Sequence, residues 1–117
     1  MSSRFYSVVV DSQDPRALAR FWAEVLDHEI VEEDDDEVEV QPREGPTEPA
    51  LLFVRVPDGK TVKNRLHIDL APDDQAAEVE RVLALGATRA DVGQTAKDSW
   101  VVLADPEGNE FCILTAR

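Results

Sequence analysis

"NRLHIDLAPDDQAAEVERVLALGA", residues 64–87, decides how this chain folds. Its opening, "NRLHIDLAP", alternates apolar and polar residues and reads as a strand. Its continuation, "DDQAAEVERVLALGA", puts Ala76, Val79, Val82 and Leu83 on one helical face and ends at Gly86, a residue suited to a helix C-terminus. A strand that runs straight into a capped helix also opens the chain. "RFYSVVVDS" is rich in β-branched and aromatic residues, and "DPRALARFWAEVLDHE" follows it. There Asp14 is placed to cap a helix, Pro15 sits at its first position, and Leu18, Phe21, Trp22, Val25 and Leu26 form an apolar stripe.

A shift of about 60 residues lays Ser7 and Val8 on His67 and Ile68, Asp14 on Asp74, Ala17 on Ala77 and Val25 on Leu85. The rest of each half also agrees in kind. "EIVEEDDDEVEVQPRE" reads as two strands around an acidic turn at residues 34–36, and "ALLFVRVP" as a third strand after the loop "GPTEP". In the second half "TRADVGQ" reads as a strand, and "SWVVLADPEGNEFCILTAR" as a hairpin turning at "DPEGN". Strand, helix and about three strands therefore occur twice, in the order of elements more than in the letters. The expected fold is α+β: two βαβββ modules, residues 4–59 and 64–117, forming a curved mixed sheet (a cup) with the helices on its outer face. The concave face is the natural pocket.

At 117 residues the chain is one domain, residues 1–117, with 43% hydrophobic and 32% charged residues, as in soluble globular proteins. No apolar run approaches the ~20 residues of a membrane span. The start lacks the basic-then-apolar pattern of a signal peptide, and the lone Cys112 forms no internal disulfide, so a reducing cytoplasm is expected. A net charge of −13, from 25 acidic and 12 basic residues, repels phosphate backbones and anionic lipid, which argues against nucleic acid and membrane partners. No glycine-rich phosphate loop, paired-cysteine motif, HExxH or Ser-His-Asp signature is present.

That plan, together with "DPRALARFWAEVL", "KNRLHIDL" and "DPEGNEFCIL", resembles the vicinal oxygen chelate superfamily, and in particular its glyoxalase-like branch. The group includes glyoxalase I, extradiol dioxygenases and the bleomycin- and fosfomycin-resistance proteins. The resemblance covers essentially the whole chain. It implies paired modules forming a cup, a homodimer and a small-molecule partner. It also implies four metal-ligand positions, which fall here on Ser7, Val54, His67 and Cys112. Valine offers no donor and a serine hydroxyl is a poor one, whereas open divalent sites need about three firm ligands. The expectation is therefore no metal and no cofactor. If a metal does bind, His67 would hold it with Cys112 or with Glu110, which lies on the same side of its strand.

Period-two alternation puts His67 and Asp69 on one face, and Leu66, Ile68 and Leu70 on the other, packed beneath the helices. Ser7, Val9, Leu52, Val54, His67, Asp69, Trp100, Glu110 and Cys112 are the expected ligand-lining residues. Trp100 offers a stacking wall and His67 is the candidate acid–base group. Phe21 and Trp22 are adjacent, so one is expected in the core and the other at a rim or interface. Lys60, Lys63, Asn64 and Arg65 form the basic cluster between the halves, expected to hold the linker in place. The favoured function is metal-free binding of a small organic molecule in the cup. The alternatives are a lyase or isomerase using His67, or a metal-dependent lyase or dioxygenase; whether the protein is an enzyme stays open.

Overall fold

The computed structural model describes residues 2–45, 47–90 and 99–117, in two compact units, Met1–Gly59 and Lys60–Arg117. The first contains β1 (Ser7–Ser12), α1 (Pro15–Leu26), β2 (His28–Glu33), β3 (Glu37–Pro42) and β4 (Ala50–Arg55). The second contains β5 (Ile68–Leu70), α2 (Gln75–Leu85), β6 (Thr88–Arg89), β7 (Val101–Ala104) and β8 (Glu110–Ile113). Each unit forms one four-stranded mixed sheet, ordered β1-β4-β3-β2 in the first and β5-β8-β7-β6 in the second. In both, the first strand pairs in parallel with the last, and the remaining pairs are antiparallel. The repeat read from the sequence is therefore a repeat of topology. Of the segment "TRADVGQ", Thr88 and Arg89 are strand, and residues 91–94 lie outside the described residues.

The local signals act as their chemistry predicts. The Asp14 carboxylate accepts from the Ala17 N–H at 3.2 Å, and Asp74 does the same for Ala77 at 3.1 Å, so matched repeat positions cap both helices. Gly86 ends α2 at φ 123°, and its N–H donates to the carbonyl of Leu83. In the acidic turn the Asp34 carboxylate accepts from the N–H groups of Asp36 and Glu37, which hold its carboxyl below the ordinary value.

In the first unit Val38 lies opposite Phe53, and Val40 opposite Leu51. These four form the buried face on which α1 packs with Leu18, Ala19, Phe21, Trp22 and Val25. Two expectations are corrected. Phe21 and Trp22 are both buried, 5% and 3% exposed, in an edge-to-face contact with centroids 5.3 Å apart. Each ring covers part of the other, so neighbouring positions on the helix are both removed from solvent. Leu66 does not pack beneath a helix: it is 85% exposed, because β5 begins only at Ile68 and the alternation has not yet started.

Candidate functional site

Register decides which side chains share a face. In the first unit Val9, Leu52 and Glu39 lie side by side across three strands, as do Asp11, Val54 and Glu37, while Ser7 sits opposite Ala50. This face is the one α1 leaves open, and Val9 is exposed on it. A bulge near Val31 restores the phase of β2, so that Glu32 stands opposite Glu39 and Glu29 opposite Gln41. The open face thus carries an apolar stripe from β1 and β4 beside carboxylates from β2 and β3. Among the described residues, Asp11, Glu29, Glu32 and Glu37 are in no ion pair, whereas Glu33, Asp27 and Glu78 elsewhere each meet an arginine.

In the second unit Asp69 lies directly opposite Cys112, and Val102 lies beyond it. His67 precedes β5, and its Nε2 is 3.1 Å from Asp69 Oδ1. The Cys112 thiol donates to the same carboxylate, and burial, then the Asp69 charge and that hydrogen bond, push its pKa up, with the Lys63 ammonium acting the other way. The thiol is therefore held protonated, which counts against Cys112 as a nucleophile. Its side chain is buried, while those of His67 and Asp69 are 44% and 50% exposed, so the group opens to solvent.

Glu110 is placed differently. Lys60 Nζ lies 2.9 Å from its Oε2, and the Asn64 backbone N–H donates to its Oε1 at 3.0 Å. Asn64 also donates to the Asn109 side chain at 2.8 Å, so the start of the second unit is fastened to the "DPEGN" turn. Asp105 shapes that turn by accepting from the N–H groups of Glu107 and Asn109. Trp100 is partly exposed immediately before β7.

Sequence reading put Asp69 on one face with His67 but missed that Asp69 also meets Cys112. The available signal was the repeat, since parallel pairing of the first and last strands in each half brings Asp69 beside Cys112. It also passed over His28, which is buried with Nε2 2.9 Å from Glu48 Oε1 and Nδ1 unpartnered among the described residues. Nothing in the local sequence signals that pair.

The donor chemistry can be tested against a divalent ion, which wants at least three firm ligands in an open site. Ser7 and Val54 do not meet that need. His67, Asp69 and Cys112 do, offering imidazole nitrogen, carboxylate oxygen and sulfur with all three donor atoms within 4.8 Å of one another. The two ligands legible in the second half of the sequence have become three.

Residues 7–114 match the glyoxalase-like domain family, and the chain belongs to it. Its solved likenesses share the vicinal oxygen chelate fold. A glyoxalase/bleomycin resistance protein/dioxygenase family enzyme from Burkholderia phytofirmans is 19% identical over 95% of this chain and 97% of its own, with a TM-score of 0.71. The fosfomycin resistance protein FosX from Mesorhizobium loti is 16% identical, covering 100% and 94%, at 0.73. The bleomycin-binding protein from Streptomyces verticillus, complexed with copper(II)-bleomycin, is 20% identical, covering 99% and 100%, at 0.61. At such identities the likeness is one of fold. No curated protein matches the sequence. Among the described residues, no helix is long and apolar enough to cross a membrane.

Proposed function

We propose that this chain binds a small organic molecule by direct side-chain contact, with no metal joining its two halves. The observation that carries the reading is the open face of the first sheet: Val9, Leu52 and Val54 form an apolar stripe, and Val54 stands where the family resemblance would put a metal donor. Ser7 borders the stripe. His67, Asp69, Cys112, Glu110 and Trp100 supply the polar and aromatic contacts of the second half. A bleomycin-binding protein among the structural likenesses supports small-molecule recognition on this fold. Carboxylates of Glu37 and Glu39 flank the stripe one strand away, at roughly 4.8 Å spacing, so a planar or apolar body carrying positive charge is the complementary ligand.

The test is equilibrium binding in the presence of EDTA, with proflavine as a cationic planar probe and anilinonaphthalene sulfonate as an anionic one, and with bleomycin in a wider panel. Proflavine is expected to bind at least tenfold tighter than the sulfonate. The Glu37→Gln/Glu39→Gln pair should weaken it several-fold, and His67→Ala no more than a few-fold. Binding only when a metal is supplied, or no binding by any member of the panel, would sink the reading.

The 3.1 Å approach of Asp69 Oδ1 to His67 Nε2 favours one second reading, an acid–base enzyme in which Asp69 orients the imidazole. In that case His67→Ala abolishes turnover while leaving ligand affinity nearly intact.

A further inference from the structure

We infer that the second unit holds a soft divalent cation, Zn2+ or a close chemical relative, between His67 Nε2, the Asp69 carboxylate and Cys112 Sγ. This goes beyond the binding reading, which needs no metal, because the second unit completes the site from its own side chains. The four positions implied by the family resemblance would instead draw half their ligands from the first unit, at Ser7 and Val54, where donors are lacking.

Geometry comes first. The three donor atoms lie within 4.8 Å of one another. Around a tetrahedral ion with metal–nitrogen bonds near 2.0 Å and metal–sulfur bonds near 2.3 Å, donors stand roughly 3.3–3.8 Å apart. Closing that gap takes about 1 Å of side-chain rotation. Asp69 and His67 are free to make it, being half exposed and outside any packed core. Cys112 need not move, since parallel pairing already fixes it beside Asp69.

Charge and chemistry agree with the geometry. An ionised carboxylate and a thiolate balance a divalent ion, and a neutral imidazole completes the set. Binding breaks the S–H bond, releases that proton to solvent and forms a metal–sulfur bond, so no oxidant or reductant is involved. Sulfur and imidazole select zinc, cadmium and cobalt over magnesium and calcium, which prefer all-oxygen sites. The exposed edge of His67 and Asp69 gives the ion its way in and leaves a fourth position for water.

Cobalt is the probe of choice, because Cys112 is the chain's only cysteine and any sulfur-to-metal charge-transfer band must come from it. Titration of the reduced, tag-free full chain with Co2+ alone should produce a near-ultraviolet charge-transfer band and strong visible bands. Both should saturate at one ion per chain, be bleached by Zn2+ and be indifferent to Mg2+. Cys112→Ser should remove the charge-transfer band, and Asp69→Asn should raise the cobalt Kd at least tenfold. In the wild-type chain, which needs no refolded variant, Zn2+ should slow alkylation of Cys112 by iodoacetamide at least tenfold. Absence of the band in the folded wild-type chain, alkylation unaffected by Zn2+, or an unchanged Kd in Asp69→Asn would each overturn the inference. None of these bears on the organic-ligand reading, whose test is run in EDTA.

Discussion

At the scale of single residues, Glu110 shows how a side chain on the same strand as Cys112 is held by partners of its own. Burial alone pushes its carboxyl up, but the Lys60 ammonium and the Asn64 N–H outweigh that and hold it below its ordinary 4.5. Glu110→Gln keeps the volume and removes the charge, leaving the nearly buried Lys60 without its counter-ion. A loss of about 2 kcal/mol in urea unfolding at pH 7 is expected. Because the folded carboxyl titrates low, its contribution is complete above about pH 4.5 and is lost as pH falls through the folded value. Wild-type and variant stabilities should therefore converge in acid, and a gap that stays constant from pH 7 to about pH 3 would contradict the assignment. In the sequence Glu110 and Cys112 looked like equivalent candidates on one strand face. Lys60, 50 residues away from Glu110, separates their roles.

At the scale of elements, both helices were legible because their caps are local. Asp14→Ala and Asp74→Ala should each cost about 1 kcal/mol of stability, measured by denaturant unfolding, since each removes an acceptor from an otherwise orphaned N–H. Gly86→Ala offers a separate check on α2. A Cβ there meets only Pro106 Cγ at 3.7 Å, an ordinary contact, but φ is 123°. The cost is conformational, about 1–2 kcal/mol, and a neutral substitution would show that the turn relaxes. The errors of reading arose where packing overrode pattern. Alternation in "NRLHIDL" suggested a strand through Leu66, yet pairing with β8 starts only at Ile68. The neighbouring aromatics Phe21 and Trp22 were expected to part company, and both are buried, packed edge to face.

At the scale of the whole molecule, a net charge of −13 is a self-repulsion spread over 117 residues. Screening it should stabilise the fold: raising NaCl from about 10 mM to about 0.5 M shortens the Debye length from ~30 Å to a few ångströms. A rise in Tm of a few degrees is expected, and a Tm that falls or stays level would show that local ion pairs such as Arg81–Glu78 outweigh the repulsion. The sequence by itself determined the two strand–helix starts, their caps, the repeat and the faces of the longer strands. Each of these follows from the period of a helix or a strand and from hydrogen bonds that span three or four residues. Only the tertiary structure decided that Asp69 stands beside Cys112, that Glu110 belongs to Lys60 and that Glu32 joins Glu39 on the open face. Those neighbours are set by strand order, register and one bulge. These depend on how a whole sheet buries its apolar side, and no local stretch of sequence encodes that choice.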